Sequence, residues 1–160
     1  MKRIIGLCVA LMSSSLLAED TAQYLQDISV TVKANGGTGS GVIVTRKIKN
    51  DKNEEINANF ILTAAHVIDS NRTTRKILDS EGREKSVVEF SDAKIVKELI
   101  EGGRKVGELT MDAKVIKYSD ADEGQDIAVL MIRKQGFVDC TARFYLKEEI
   151  PSIGTQLFHV

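Results

Sequence analysis

The sequence predicts an all-β domain, a barrel or a sandwich assembled from short strands. Three observations point there. Apolar and polar residues alternate with period two in several short segments, glycine-rich and polar turns separate them, and no stretch keeps the 3.6-residue period of a long helix. A chain of 160 residues with 42% hydrophobic and 28% charged residues describes an ordinary globular protein, neither disordered nor membrane-embedded. That length suits one domain, or one complete subdomain of something larger.

The first strand is expected at residues 28–32 (Ile-Ser-Val-Thr-Val), where alternation fits a half-buried sheet. Residues 35–41 contain four glycines and read as a turn, followed by a β-branched strand at 41–45. Residues 46–59 carry a mixed-sign charge run and read as a solvated loop. A third strand follows at 60–63, with a short helical turn at 64–68. Residues 69–84 are polar and loop-like, and 86–90 form a further strand. Residues 93–100 fit strand and helix equally. Strands are expected again at 111–118, 127–132, 144–146 and 155–160.

The first residues differ from the rest. Lys2 and Arg3 form a basic head, residues 4–12 are almost wholly apolar, and a small and polar stretch leads to Ala18 ahead of Glu19 and Asp20. That order is expected of a secretory signal peptide, residues 1–18, cleaved after Ala18 within a few positions, and so of a secreted or periplasmic protein. A membrane anchor is the competing reading, but the apolar stretch falls short of the ~20 residues a span needs. Cleavage takes the formal charge from −1 to −3, which gives nucleic acid no electrostatic handle. It also removes Cys8, leaving Cys140 either as a buried thiol or with a partner beyond Val160.

Three segments carry the chemistry: Gly39-Ser40-Gly41-Val42-Ile43-Val44, Phe60-Ile61-Leu62-Thr63-Ala64-Ala65-His66-Val67-Ile68, and Gln125-Asp126-Ile127-Ala128-Val129-Leu130. In this order they resemble the trypsin-like (chymotrypsin-fold) serine proteases, over about residues 28–160. In that family a Thr-Ala-Ala-His block carries the general base and a later Asp-Ile-Ala-Leu-like block the aspartate that orients it. The resemblance implies catalytic roles for His66 as base and Asp126 as orienter. It also implies an antiparallel six-stranded Greek-key barrel, the first of two. A serine hydroxyl is a weak nucleophile until a neutral imidazole takes its proton, and a carboxylate on the other ring nitrogen fixes the tautomer this needs.

The chain also departs from the family. Val67 stands where many animal members have a disulfide cysteine, so the likeness is nearer the bacterial and HtrA-like branches. The 60 residues from His66 to Asp126 are long for those branches and imply an insertion at about residues 69–108. No Gly-x-Ser-Gly-Gly occurs, so residues 19–160 are expected to be the N-terminal part of a peptidase domain, ending before the nucleophile and second barrel. Ser40 lacks the flanking glycines of a nucleophile elbow and precedes the histidine, so it is rejected as a substitute. His159 reads as a strand residue rather than a second base. The acidic stretch 120–126 fails the spacing of a calcium loop, and no zinc spacing or phosphate-binding glycine loop occurs.

The expected function is therefore a serine endopeptidase acting on protein or peptide substrates without cofactor or metal, and without a membrane partner once the leader is cleaved. A non-catalytic homologue using the barrel as a binding or scaffolding module is the alternative. A cysteine nucleophile in place of serine is a third option.

Overall fold

The computed structural model of the chain describes residues 21–119, 124–134, 136–146 and 148–157. The expected leader, His159 and most of the acidic stretch lie outside them. Residues 21–28 form a helix, α1, so the first strand begins one residue after its expected start at 28. Eight strands follow: β1 (Ser29–Ala34), β2 (Gly37–Lys49), β3 (Glu55–Thr63), β4 (Arg72–Leu78), β5 (Glu84–Phe90), β6 (Ala93–Glu101), β7 (Arg104–Tyr118) and β8 (Ala128–Ile132). Between β3 and β4 lie the short helix α2 (Ala65–Ile68) and a 3₁₀ turn (Asp69–Asn71). Among the described residues no helix is long and apolar enough to cross a membrane.

Six of the strands close into an antiparallel barrel in the order β1-β2-β3-β8-β7-β6. Because β6 lies beside β1 after three consecutive strands, the connectivity is a Greek key. Alternation sends one set of side chains inward: Val30 and Val32, Ile43, Ile61, Ile95, Leu130 and Ile132 pack at the centre with Ala93, Ala113 and Ala128. Ala65 and Ile68 of α2 join the same cluster, so the helix is seated on the barrel rather than hanging from it. Each large side chain buried there contributes about 1.5–3 kcal/mol.

Several expectations change. The glycine-rich stretch is mostly strand, because β2 starts at Gly37 and the turn is only Asn35-Gly36. Glycine is required at two of these positions by contact rather than by bending. A Cβ on Gly39 would stand 2.4 Å from Val67 Cγ2, and one on Gly41 would stand 2.6 Å from Ile61 Cγ2. The loop after β2 shrinks to residues 50–54, where Asn50 accepts the Lys52 and Glu54 N–H groups and Asn53 takes a positive φ of 61°. Residues 93–100 resolve as strand. The β6–β7 turn uses Gly102 and Gly103, both at positive φ, which a two-residue hairpin loop demands.

The expected polar loop at 69–84 is instead the first half of a hairpin, β4–β5, standing outside the barrel as a separate two-stranded sheet. Its strands pair through a continuous backbone ladder, and cross-strand ion pairs, Arg75 with Glu89 at 2.6 Å and Lys76 with Glu84 at 3.0 Å, lie on its exposed surface. Of the strands within residues 69–108, β4 and β5 stand outside the barrel, whereas β6 and β7 belong to it. The strands expected at 144–146 and in the described part of 155–160 are not formed; that stretch has no regular structure and exposes Leu146, Ile150 and Leu157.

Candidate active site

His66 and Asp126 meet because of strand register. Thr63, the last residue of β3, pairs with Ala128, the first of β8. Continuing that antiparallel register sets position 126 opposite position 65, one residue from the histidine. Both residues sit just beyond the sheet edge, on segments whose roots are buried in the core: Thr63, Ala65 and Ile68 on one side, Ala128 on the other.

The contact is twofold. Asp126 Oδ1 accepts the His66 backbone N–H at 2.9 Å, and Asp126 Oδ2 lies 2.5 Å from the ring nitrogen Nδ1. The first bond explains a local feature of the sequence. Ala64, the N-cap of α2, has no side chain able to satisfy the helix's first N–H groups. Asp126 supplies the missing acceptor from the segment before β8, so the carboxylate is fixed by the helix it serves.

The Asp126 carboxyl is held below its usual range, chiefly by the His66 backbone N–H, then by the His66 ring, with a further contribution from the Ala65 N–H. Desolvation pushes the other way. An ionised carboxylate only accepts hydrogen bonds, so Nδ1 carries the proton and donates. In the neutral ring this leaves the lone pair on Nε2. The His66 side chain is 67% exposed and Asp126 41%, and Nε2 makes no hydrogen bond to a described residue. The arrangement is an oriented imidazole whose basic nitrogen faces outward.

Surrounding contacts hold the two segments. Thr63 Oγ1 donates to the Ser40 carbonyl oxygen at 2.8 Å, tying the end of β3 to β2. Ser40 thus takes part through its backbone, and its hydroxyl makes no bond to His66. Val67 packs over Gly39, fixing the outer side of α2. Beyond α2, the buried Asn71 accepts the Asn35 N–H at 2.8 Å and donates to the Ser91 and Asp92 carbonyls, both at 3.2 Å. Ser70 Oγ accepts the Gly36 N–H at 3.0 Å. The β1–β2 turn, the 3₁₀ turn and the β5–β6 link are thereby clasped together. Tyr118 donates its hydroxyl proton to Asp69 at 3.1 Å and its ring lies 5.1 Å from that of Phe90, which anchors the β4–β5 hairpin beside the site.

Sequence reasoning identified His66 and Asp126 but missed their supports. Ser119 is the clearest omission. Its N–H donates to the Ile127 carbonyl at 3.0 Å, and its Oγ accepts the Ile127 N–H at 2.9 Å. The same Oγ also contacts the Gln125 carbonyl. The bonds span six and eight residues across a loop, a separation with no periodic signature. Cys140 is a free thiol, half-buried rather than buried, and no cluster of His, Cys, Asp and Glu side chains able to hold a metal occurs among the described residues. No protein-family model matches the chain, and no curated protein or solved structure matches it either.

Proposed function

We propose that the chain supplies the general base and its orienting carboxylate to a trypsin-like serine endopeptidase, exported from the cytoplasm and acting on protein or peptide substrates. The observation that carries the reading is the His66–Asp126 pair: Nδ1 donates to an ionised Asp126 while Nε2 stays open. Nε2 takes the proton of a serine hydroxyl as it attacks the peptide carbonyl, then returns it to the leaving amine. Asp126 keeps the ring in the required tautomer and stabilises the imidazolium between those steps. The serine and the oxyanion-hole amides come from outside these 160 residues, in which no Gly-x-Ser-Gly-Gly occurs. Barrel closure supports the reading too, because both residues are rooted in a packed core that holds their separation fixed.

The test uses the natural gene product that contains this chain, incubated with casein as wild type and as His66→Ala. The expected result is cleavage by the wild type and a kcat lower by on the order of 10⁴ to 10⁶ in the variant. Equal turnover overturns the role of His66. Turnover by neither favours the non-catalytic reading, in which the barrel binds or scaffolds.

A further inference from the structure

Asp126 lies where neither sheet neighbour holds it. The β7–β8 ladder ends at Tyr118 paired with Ala128, and the β3–β8 ladder ends at Thr63 paired with the same Ala128. Asp126 is two residues past both. His66 fixes its carboxylate, yet something must fix its backbone if that carboxylate is to reach α2 reproducibly.

Ser119 does this from one position. Both backbone polar groups of Ile127 are bonded to it: the N–H to Oγ at 2.9 Å and the carbonyl to the Ser119 N–H at 3.0 Å. The Oγ also contacts the carbonyls of Gln125 and Ile127, and its single hydroxyl proton serves one of the two, the nearer being Gln125. The residues on either side of Asp126 are thus tied to one side chain. A hydroxyl is needed because it both donates and accepts; alanine does neither and cysteine does both weakly.

We propose that Ser119 is the positioning residue for the His66–Asp126 pair, acting through the backbone on both sides of Asp126 and touching neither ring nor carboxylate. Its importance to catalysis rests on the protease reading, whereas the positioning is read on the chain without any turnover. The experiment measures the ring ¹⁵N shifts of His66, which report the protonated nitrogen, at a pH where the ring is neutral. It also follows the carboxyl ¹³C titration of Asp126. The chain is compared as wild type, Ser119→Ala and Ser119→Thr.

The expected result is a predominantly Nδ1-protonated ring in wild type and Ser119→Thr. In Ser119→Ala the ring becomes a mixture of tautomers, and Asp126 titrates nearer the ordinary aspartate value. A merely structural loss lowers the folded fraction without changing the tautomer of the molecules that remain folded. An unchanged tautomer and titration in Ser119→Ala overturn the proposal. Should that variant not fold, exchange of the Ile127 amide in the wild type decides. Protection like that of the β8 ladder supports the assignment, and exchange at the rate of an unstructured amide refutes it. If the tautomer shifts as expected but the gene product cleaves nothing, the protease reading falls and the positioning of Asp126 by Ser119 stands.

Discussion

Replacing Gly39 by alanine tests how α2 is seated. A methyl at this position stands 2.4 Å from Val67 Cγ2, 2.9 Å from Cγ1 and 3.3 Å from Cβ. Carbon atoms in good contact lie at ~3.5–4.0 Å, so the nearest approach is about 1 Å too short. Rotating Val67 does not solve the clash. Both γ-carbons and the Cβ are implicated, and a β-branched residue in a helix has one strongly preferred χ1. The helix itself must shift. Overpacking of this kind costs about 1–3 kcal/mol, and a 1 Å displacement of a catalytic group costs ~10²-fold in rate. Because Val67 directly follows His66, the strain falls on the site, and on the proposed function the rate penalty falls there too.

The assay is urea unfolding of the chain as wild type, Gly39→Ala, Val67→Ala and the double variant. Gly107→Ala serves as control, since a Cβ there meets only Leu99 Cδ1 at an ordinary 3.7 Å. Gly39→Ala should lower the midpoint with an unchanged slope. The double variant should recover most of that loss in a mutant cycle, and Gly107→Ala should stay within about 0.5 kcal/mol of wild type. A neutral Gly39→Ala, or one that Val67→Ala does not relieve, refutes the reasoning.

Other consequences are equally direct. Asn71→Ala removes a buried side chain that bonds one N–H and two carbonyls, and should destabilise by about 1–3 kcal/mol in the same unfolding assay. The pH dependence follows from Asp126. Its carboxyl is lower in the folded state than in the unfolded chain, so the unfolded state binds more protons in acid and stability rises with pH there. The advantage of wild type over Asp126→Asn should be complete above about pH 4, the ordinary aspartate range. It should disappear as the pH falls through the lower folded value, as unfolding midpoints measured from pH 2 to 7 will show. On the proposed function, in which the nucleophile lies outside these 160 residues, the chain alone should leave casein intact above background. Cleavage by the purified chain would place the nucleophile within it.

The barrel was legible in the sequence wherever a strand buries alternate residues. Val30 and Val32, Ile43, Ile61 and Leu130 announce period two, and all point into the core. Gly37 and Gly39 misled, because glycine signals a turn by composition, whereas both lie in β2 and Gly39 makes room for Val67. β4 was invisible for a different reason. Its Arg-Thr-Thr-Arg-Lys-Ile-Leu sequence pairs only with β5 and faces no core, so no apolar period marks it. The apolar run at residues 144–146 erred the other way, reading as strand although it lies exposed and unpaired with any sheet. His66 and Asp126 were readable because each sits in a short, distinctive block at the end of a buried strand. Ser119 and Asn71 were not, because their roles depend on loops brought together only by the closed barrel.

The most direct test of the central claim is the rate at which a fluorophosphonate phosphonylates the full gene product, the serine oxygen displacing fluoride at phosphorus, as wild type and as Asp126→Asn. The asparagine is chosen because its Oδ1 can still accept the His66 backbone N–H, preserving the seat of α2. Its amide group then faces Nδ1, which must become the acceptor, so the ring proton moves to Nε2 and the base is lost. Phosphonylation of the wild type at neutral pH, slowed by on the order of 10⁴ in the folded variant, is the predicted outcome. Equal labelling of the two proteins would contradict it, since the nucleophile would then be activated without the His66–Asp126 pair.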